Sequence, residues 1–403
     1  MECRDLDIAI VGGGLVGCSL AVALAPLGFA VGLVDAGGPQ PLSSDPRKLA
    51  LAAASLNALG ALGVLARLPT PPSPIRRLLV SREGDFGRLC FEAAEFGRDA
   101  FGGVVLAGDL GAALQQAVTA LPQLQVVRGH AEALEGTADR RPLRVQPEVA
   151  PAELWRARLV VAADGTASPL RAAAGIGIDH HDYGQTLLVA SARWAAASPD
   201  TAHERLSDHG PCALLPMAGG LHGVICGVPP DAAPALLAQN DADFAAYLQT
   251  RFGWRAGRVL AVGARSAWPL RRVVARRLVA ERLVLVGHAA QTIHPIGAQG
   301  FNLGLRDALS LVDGLEEARS MAEDPGSAAR LADHVERRRE DRERTLAFSD
   351  GLARIGAGST PLHRLGRSLG FAALQFDPGL RAAFVAGAMG FRGRTPRLAG
   401  EAA

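Results

Sequence analysis

Short, largely apolar runs followed by glycine-rich turns set the pattern of this 403-residue chain, most clearly at its beginning. The first run extends from Asp7 to Val11, residues 15–27 have the length and composition of a buried helix, and residues 30–34 form a second run. Apolar runs of about four to eight residues are typical of parallel strands that are covered on both faces. The pattern predicts a buried strand, a tight turn, a helix and a second buried strand.

The absence of charge from Ile8 to Val34 would also fit a membrane-spanning helix or a signal sequence. Three consecutive glycines and Pro26 interrupt any single spanning helix, however, and the first seven residues hold three acids against one arginine. A signal peptide begins with positive charge instead. The composition therefore favours a cytoplasmic protein.

The turn after the first strand matches G-x-G-x-x-G at Gly12, Gly14 and Gly17. In such a motif the first glycine permits the tight turn, the second lets a pyrophosphate approach the backbone, and the third lets helix and strand pack closely. Asp35 lies 18 residues beyond Gly17, where a carboxylate can accept hydrogen bonds from a ribose diol. The unit predicts a dinucleotide site, and the acid favours FAD or NAD over NADP.

A second cofactor-like signal lies late in the chain, from Gly287 to Asp307. This segment follows a strand-like run, residues 282–286, and holds four glycines before an apparent helix. Glycine at this density lets a backbone approach a flat ligand, and a turn before a helix directs free N–H groups at an electron-rich group. Residues 159–165 repeat the arrangement, because a strand-like run ends there at Asp164-Gly165. We expect both segments to touch a large cofactor.

Two further patterns predict secondary structure. Asp45-Pro46-Arg47 precedes a helix predicted over residues 49–65. The strands predicted over residues 186–194, 212–217 and 223–228 indicate a second domain that is rich in β-structure.

Composition narrows the class of protein. A chain of 403 residues is expected to form two or more domains, and a formal charge of +2 gives no reason to expect a nucleic-acid partner. Lys48 is the one lysine, and its context matches neither a P-loop nor a Schiff-base site. The five cysteines form no C-x-x-C pair and suit no zinc site, so we expect no bound metal.

The first glycine motif, Asp164-Gly165 and the late glycine segment, in this order, resemble the flavoprotein aromatic hydroxylases with the p-hydroxybenzoate hydroxylase fold. Within that family, residues 288–295 and 299–304 are most similar to the ubiquinone-biosynthesis hydroxylases, in particular the 2-octaprenyl-6-methoxyphenol hydroxylase branch. The resemblance covers most of residues 5–350. It implies an α/β protein with a Rossmann-like FAD-binding domain, an inserted β-rich substrate domain and a C-terminal helical region.

The resemblance also implies domain boundaries and a cofactor site. The FAD-binding domain would combine residues 1–75, 100–175 and 270–330, the substrate domain residues 76–99 and 176–269, and the helical region residues 331–403. FAD would be the cofactor and NAD(P)H the co-substrate. The implied FAD-binding residues are Gly12, Gly14, Leu15, Val16, Asp35, Arg47, Asp164, Gly165, His288, Pro295, Gln299, Gly300, Phe301 and Asn302.

Two departures from the family pattern affect this site. His288 stands where the family usually has aspartate and this branch often has asparagine. The loop reads Gly297-Ala298-Gln299-Gly300 where the family more often has Ala-Gly-Gln-Gly. Both departures concern individual contacts with the cofactor and not the choice of cofactor.

The implied reaction is hydroxylation of a polyprenyl phenol, such as 2-polyprenyl-6-methoxyphenol, through a C4a-hydroperoxyflavin. His294 is the polar residue that we expect near the flavin, and a packing role for it is equally open. Two alternative functions remain: a flavin hydroxylase of a soluble aromatic acid, and an inactive member of the family that serves as an assembly subunit. An arginine-rich pocket would favour the first alternative.

The last part of the chain is basic. Residues 351–403 hold seven arginines and two acids, interspersed with leucine, phenylalanine and methionine. One hypothesis is a surface that meets the inner membrane or other ubiquinone-biosynthesis proteins, which would suit a polyprenyl substrate held in the bilayer. The other is a helical tail that packs on the FAD domain with a solvated basic side.

Overall fold

The computed structural model describes residues 2–37, 42–84, 88–208, 210–357 and 360–400. The strands of the described residues are β1 Glu2–Val11, β2 Val31–Asp35, β3 Lys48–Ala52, β4 Ser73–Ile75, β5 Arg77–Arg82, β6 Arg88–Glu92, β7 Gly102–Leu106, β8 Gln125–Ala133, β9 Arg141–Pro147, β10 Glu153–Ala162, β11 Ile178–Trp194, β12 Thr201–Leu206, β13 Cys212–Pro216, β14 Leu221–Val228, β15 Val259–Val262, β16 Ser266–Ala275, β17 Val279–Ala280, β18 Leu283–Leu285 and β19 Gln291–Thr292.

The helices lie mainly on the first sheet and at the end of the chain. They are α1 Leu15–Leu24, α2 Ala53–Ala61, α3 Ala107–Thr119, α4 Pro169–Ala173, α5 Ala232–Ala238, α6 Asp241–Phe252, α7 Gln299–Ser320, α8 Ala328–Ala357, α9 Pro361–Phe376 and α10 Pro378–Ala388. None of the described helices combines the length and the apolar composition needed to cross a bilayer.

Seven strands form a mixed sheet that carries the first glycine motif. β1 lies between β2 and β10 and runs parallel to both, β8 pairs parallel with β2, and β18 pairs parallel with β10. Buried side chains such as Ile8, Leu33 and Val161 pack beneath α1, α3 and α7. The strand, turn, helix and strand predicted over residues 7–35 are confirmed as β1, α1 and β2.

A second, larger sheet has the order β19-β16-β11-β14-β13-β12-β5-β6, with β15 paired to β11. The predicted strands over residues 186–194, 212–217 and 223–228 are confirmed as parts of β11, β13 and β14. The helices α5 and α6 cover one face of this sheet, where Phe244 and Leu248 pack against Leu188 and Val224. The opposite face is therefore left to meet the rest of the molecule.

The helix predicted over residues 49–65 is wrong in its first part. Residues 48–52 form β3, which pairs antiparallel with β7, and the helix α2 begins only at Ala53. An alanine-rich stretch suits a helix by local propensity, but the ladder to a strand fifty residues away satisfies the same backbone groups. With β4 on the far side of β7, β3 completes a small three-stranded sheet.

The predicted domains remain a prediction, and the strand pairings are consistent with their order. β5 and β6, from residues 77–92, pair through β12 with the sheet that contains β11 to β16. β18 returns to the first sheet beside β10. β19 pairs with β16 in the second sheet, however, so the pairing does not follow the predicted boundary at residue 270 in detail.

Candidate functional site

The first glycine motif forms a tight turn between β1 and α1. Gly12 has a φ of 111°, and a Cβ on it would lie 2.3 Å from the carbonyl oxygen of Ala163. A Cβ on Gly17 would lie 1.9 Å from the carbonyl oxygen of Gly12. Gly14, in contrast, faces open space, with no atom within 4 Å of a Cβ placed there. The turn is packed on one side and open on the side where a pyrophosphate would approach.

The first turn of α1 joins this motif to the late glycine segment. Leu15 and Val16 begin the helix, and no side chain caps its first N–H groups, so these can bind an anion. Val16 packs against Gly287 and Gly304, since a Cβ on either glycine would lie 3.1 Å from its side chain. Two segments almost three hundred residues apart therefore share one cleft.

Asp35 lies where the sequence places it, at the end of β2. Its Oδ1 accepts hydrogen bonds from the backbone N–H groups of Gly13, at 3.3 Å, and Gly37, at 3.2 Å. These bonds hold the carboxylate against the glycine turn. The motif predicts that the carboxylate accepts bonds from a ribose diol, and this role remains a prediction.

Asp164 follows β10 and carries an acceptor without a partner. Its Oδ2 accepts a hydrogen bond from the N–H of Leu170 at 3.1 Å, whereas its buried Oδ1 has no partner in the described structure. Burial raises the pKa of Asp164, and its hydrogen bonds only partly oppose that shift. Gly165 has a φ of 84° and open space around its Cα. An acceptor of this kind requires a hydroxyl or water donor.

The charge of Arg47 acts on the ring of His288. The guanidinium of Arg47 forms a bidentate ion pair with Asp45, with 2.6 Å between Nη2 and Oδ2, and lies 5.5 Å from the ring centre of Trp268. His288 has solvent-exposed surface, but its ring is largely desolvated by the surrounding protein. That burial, with the charge of Arg47, lowers the pKa of His288 to about 4. The imidazole is therefore neutral at neutral pH, and the charge in this position comes from Arg47.

The loop from Pro295 to Asn302 is anchored to β3. The side chain of Asn302 accepts a bond from the N–H of Ala52 at 3.0 Å and donates to the carbonyl oxygens of Ala50, at 2.9 Å, and Ala298, at 2.7 Å. The strand that was predicted as helix is thus the support of this loop. Asn302 holds the loop with all its side-chain bonds made within the protein.

Three other predicted residues lie on this loop and the first turn of α7. Gln299 donates to the carbonyl oxygen of Gly297 at 3.1 Å, and its buried Oε1 has no partner among the described residues. Gly300 lies beside His288, 3.6 Å from Nε2 to a Cβ placed on it. Phe301 packs against the core of the first sheet. Because no side chain caps α7, its first N–H groups are available to an electron-rich group.

His294 is buried and has a packing environment. Its Nδ1 accepts a hydrogen bond from the N–H of Ile296 at 3.2 Å, and its ring meets Tyr183 edge-on with 4.7 Å between centres. Burial lowers the pKa of His294 to about 4, although the charge of Asp350 opposes the shift. His294 does not line the cavity beside the loop, whereas the next residue, Pro295, does. Its predicted proximity to the flavin remains a prediction.

An apolar cavity of about 220 Å³ opens beside Pro295–Gln299. Its walls come from β3, from the free face of the second sheet, and from the helices α8, α9 and α10. Aromatic side chains of Phe91, Phe348, Phe371 and Phe384 contribute to these walls. No lysine or arginine is among the described residues that line it. Nor do three His, Cys, Asp or Glu side chains converge to hold a metal ion in the described part of the chain.

Two ionisable residues that line the cavity were missed as site residues by the sequence analysis. Glu204 and His203 are neighbours on β12, and Glu204 faces the cavity together with Ala202 and Leu206. Burial raises the pKa of Glu204 to about 8, and burial lowers that of His203 to about 4. The signal in the sequence was a single acid at an alternate position of an otherwise apolar strand face. Its meaning depends on the sheet pairing, which the sequence does not show.

Comparison with protein families agrees with this geometry. The model of the FAD binding domain family matches residues 5–349, which include every predicted cofactor residue. The chain belongs to the FAD binding domain family. The open glycine turn and the unpartnered oxygens of Asp164 and Gln299 fit a dinucleotide rich in hydroxyl groups.

Similar proteins include hydroxylases and a monooxygenase. Ubiquinone hydroxylase UbiL of Rhodospirillum rubrum is 37% identical over 389 residues, which cover 95% of this chain and 89% of that protein. The 3-demethoxyubiquinol 3-hydroxylase of Escherichia coli is 34% identical over 383 residues, covering 93% and 96%. Among solved structures, p-nitrophenol 4-monooxygenase PnpA from Pseudomonas putida covers 98% of this chain and 100% of its own, with a TM-score of 0.79 and 18% identity.

This family membership defines the class of enzyme. The protein is an FAD-dependent monooxygenase with the p-hydroxybenzoate hydroxylase fold, as the resemblance implied. FAD is its cofactor, and NAD(P)H is the co-substrate typical of the family. The fold predicted from the sequence is confirmed, whereas the roles of individual site residues remain proposals.

Proposed function

We propose that this enzyme hydroxylates the aromatic ring of a polyprenyl phenol in ubiquinone biosynthesis. The observation that carries the proposal is the apolar cavity beside residues 295–299. Pockets for drug-sized ligands typically measure roughly 300–1,000 Å³, so a smaller cavity of about 220 Å³ suits an aromatic ring and the start of a prenyl tail. The names of the relatives support a quinone-pathway substrate. The finer assignment to 2-polyprenyl-6-methoxyphenol rests on the sequence of residues 288–304.

The lining of the cavity argues against a soluble aromatic acid as substrate. A buried carboxylate requires a cation or several hydrogen-bond donors, and arginine is the usual partner. The described lining contains no arginine or lysine, although the chain has 42 basic residues in all. The acid Glu204 would in addition repel a carboxylate. A neutral, apolar ring with a hydrocarbon tail is the better match.

The residues around the cleft define what the protein itself would contribute. Gly12, Gly14 and the first turn of α1 would hold the pyrophosphate of FAD, and Asp35 its adenosine ribose. Asp164 would accept a bond from a hydroxyl of the linker. When bound, FAD supplies electron transfer and oxygen activation. The first N–H groups of α7 would stabilise negative charge on the flavin ring, and the aromatic walls of the cavity would exclude water.

The polar side chains of the cleft would position the cofactor. Arg47, already paired with Asp45, would contribute a guanidinium beside the flavin or pyrophosphate. His288 would act as a neutral hydrogen-bond partner in the position where the family pattern has aspartate, so it brings no negative charge there. Asn302 would keep the loop at a constant distance from β3.

Quinone profiling by mass spectrometry tests the proposal. A strain without the gene is expected to lose ubiquinone and to accumulate a prenylated phenol that lacks one hydroxyl group, and the wild-type gene should restore the profile. The structure of the accumulated compound identifies the ring position. Normal ubiquinone in the deletion strain would refute the pathway assignment.

The flavin content and the activity of the purified protein distinguish an active enzyme from an inactive assembly subunit. We expect a yellow preparation with one FAD per chain, which oxidises NAD(P)H faster in the presence of a short-chain prenyl phenol. A colourless protein that gains no flavin spectrum with added FAD would support the assembly subunit. The intact glycine turn favours the first result.

We also propose that the protein contacts the inner membrane through α9 and the start of α10. Leu365, Leu369, Phe376 and Leu380 are exposed by 51–82% of their surface. The other side of α9 contributes Phe371 and Leu374 to the cavity wall. Apolar side chains on both sides of one helix suit a passage between a bilayer and the cavity. Of the tail arginines, Arg381 and Arg397 pair with acids, so apolar burial would contribute more than charge.

A further inference from the structure

One face of the second sheet forms a wall of the cavity. The side chains of this wall are apolar except for that of Glu204. Successive side chains of a strand point to opposite faces, and residues that pair across strands share a face. Glu204 pairs with Ala213 on β13 and with Val80 on β5. The other cavity-facing residues of this wall are Leu78, Leu89, Phe91, Ala202, Leu206, Leu215 and Ile225. Glu204 is the single acid of the described cavity lining.

The carboxyl group of Glu204 is not accounted for by contacts within the protein. Its Oε1 is buried and has no hydrogen-bond partner in the part of the chain that the structure describes. An unpartnered buried oxygen costs roughly 1–3 kcal/mol, so such groups are normally retained for a ligand or a function. The neighbouring side chains of this described wall, such as Val80 and Ala213, are apolar and supply no donor. A phenol hydroxyl entering the cavity would supply it.

The charged and titratable groups around Glu204, apart from His203, lie outside the cavity. On its own strand, His203 stays neutral because burial lowers its pKa to about 4, and Arg205 lies 3.9 Å from Glu83. On the opposite face of the sheet, the sulfur of Cys212 accepts a hydrogen bond from Arg251 and is also bonded to the thiol of Cys226. Along β5, Arg82 is paired with Asp208. No cation among these described residues forms an ion pair with Glu204, and its carboxyl group keeps a high proton affinity.

We propose that Glu204 is the catalytic base that takes the proton from the substrate phenol, an inference that rests on the proposed function. The carboxylate oxygen forms a new O–H bond as the phenol O–H bond breaks, and the electron pair remains on the phenol oxygen. The resulting phenolate makes the ring a stronger nucleophile toward the oxygen donor. After hydroxylation the product oxygen takes a proton back, and Glu204 returns to its carboxylate form.

Proton affinity fits this role. A phenol titrates near pKa 10, like tyrosine, and an ordinary glutamate near 4.3 would be a base too weak by about six units. Burial and the nearby Cys212 thiol raise the pKa of Glu204 to about 8, which brings base and phenol within about two units. His203, the other ionisable group at the cavity, is a much weaker base because its pKa is lowered.

Two variants and a matched control test the assignment. Glu204→Gln removes the base but keeps the size and polarity of the side chain, and Glu204→Asp keeps a carboxyl group on a shorter stem. Glu83→Gln makes the same acid-to-amide change at an exposed position outside the cavity and is expected to leave activity unchanged. FAD content and thermal stability of all variants should match the wild type.

The first readout is the pH profile of hydroxylation. In the wild type, kcat/KM for a short-chain prenyl phenol is expected to rise about tenfold per pH unit and to level off near pH 8, as Glu204 loses its proton. Glu204→Gln should lose this rise and fall by about 10²–10⁴-fold. Glu204→Asp should retain the rise at a lower rate. A fluorinated phenol that is ionised at the assay pH should largely rescue Glu204→Gln.

The second readout needs no turnover. The ultraviolet spectrum of a bound simple phenol distinguishes phenol from phenolate, and the wild type should bind the phenolate at a lower pH than Glu204→Gln. If the wild type shows this shift but hydroxylates no prenyl phenol, the proposed function fails and the role of Glu204 stands. If Glu204→Gln hydroxylates within threefold of the wild type across the pH range, the role of Glu204 is refuted. A wild type that binds no phenol refutes both.

Discussion

The three glycines of the first motif differ in the space available for an added methyl group. Substitutions at these positions can therefore distinguish an effect on folding from an effect on cofactor binding. Gly17→Ala would place a Cβ 1.9 Å from the oxygen of Gly12, so we expect a loss of folded protein. Gly14 has an ordinary φ of −71° and open space, so Gly14→Ala should fold normally. Its methyl group would occupy the approach of the pyrophosphate, and FAD affinity should fall at least tenfold. Circular dichroism melts and FAD fluorescence titration measure the two effects.

The opposite pattern would contradict this division of roles. If Gly14→Ala lowers the melting temperature and binds FAD normally once folded, the open side of the turn has no part in holding the cofactor. Gly366→Ala provides a control, because that glycine also has open space around it and lies far from the glycine turn, on α9.

A buried histidine makes stability depend on pH. His334 is 4% exposed, its Nδ1 has no described partner, and burial lowers its pKa to about 3. The unfolded chain binds a proton below about pH 6.5 and the folded chain does not, so this residue destabilises the fold progressively as pH falls from 6.5 toward 3. Between pH 6.5 and pH 5 this residue lowers the free energy of unfolding by about 2 kcal/mol.

His334→Gln is expected to remove that part of the pH dependence. Urea unfolding at pH 7 and pH 5 should show a smaller difference in the free energy of unfolding for the variant than for the wild type. The comparison uses the difference between two pH values, so a uniform loss of stability in the variant does not affect it. An unchanged difference would show that other groups dominate in this range.

At the scale of single residues, local motifs indicate candidate cofactor residues, whereas no local motif indicates the acid of the cavity wall. Gly12, Gly14 and Asp35 could be found because their spacing follows from one local unit of strand, turn and helix. Glu204 could not, because its importance depends on Val80 and Ala213, which reach it only through sheet pairing. Local motifs are visible in a chain, and contacts between distant strands are not.

At the scale of elements, the same distinction explains the error at β3. Residues 49–52 are apolar and lie next to a helix, and it is the pairing with β7 that makes them part of a strand. These residues also support a distant part of the chain, because the side chain of Asn302 is hydrogen-bonded to the backbone of both Ala50 and Ala52. The apparent helix of the late glycine segment is α7, which begins at Gln299, so the loop enters the helix directly.

The helices α7 and α8 are joined by a buried ionic cluster formed by Arg306, Asp307, Arg338 and Asp341. All four side chains are at most 3% exposed, and the joining distances include 2.7 Å from Arg306 Nε to Asp341 Oδ2 and 2.8 Å from Arg338 Nε to Asp307 Oδ1. Gln291 bonds to Asp307 and to Arg342 at the edge of the cluster. The cluster therefore connects Gln291, in the late glycine segment, to both helices.

Asp341→Asn would leave two arginines with one acid in a buried space. Breaking a buried pair by removing one partner typically costs about 3–5 kcal/mol, and we expect a loss of this size in the free energy of unfolding. Arg339→Gln breaks the exposed pair with Glu336 on the same helix and should cost no more than about 1 kcal/mol. Urea denaturation measures both, and equal losses would mean that burial of the cluster has no special weight.

At the scale of the whole molecule, the site combines segments from most of the chain. The cofactor cleft draws on residues near 12, 35, 164 and 288, and the cavity adds walls from β5, β12 and α8 to α10. The basic tail was expected either to pack on the FAD domain or to meet a membrane. In the structure the tail has a further role, because its helices α9 and α10 form part of the cavity wall. A truncation near Gly351 would therefore remove part of the cavity wall as well as any membrane surface.

Point substitutions test the membrane surface without opening the cavity. Leu369 and Phe376 are 62% and 82% exposed on α9, and replacing either with serine removes an apolar group worth about 1.5–3 kcal/mol when it is buried in lipid. We expect Leu369→Ser and Phe376→Ser each to lower co-flotation with inner-membrane lipid vesicles about tenfold, with little change at high salt. Val149→Ser, at a residue 98% exposed in a loop, is the control and should float like the wild type. Equal flotation of all four proteins would rule out this surface, and strong weakening by salt alone would assign binding to the arginines instead.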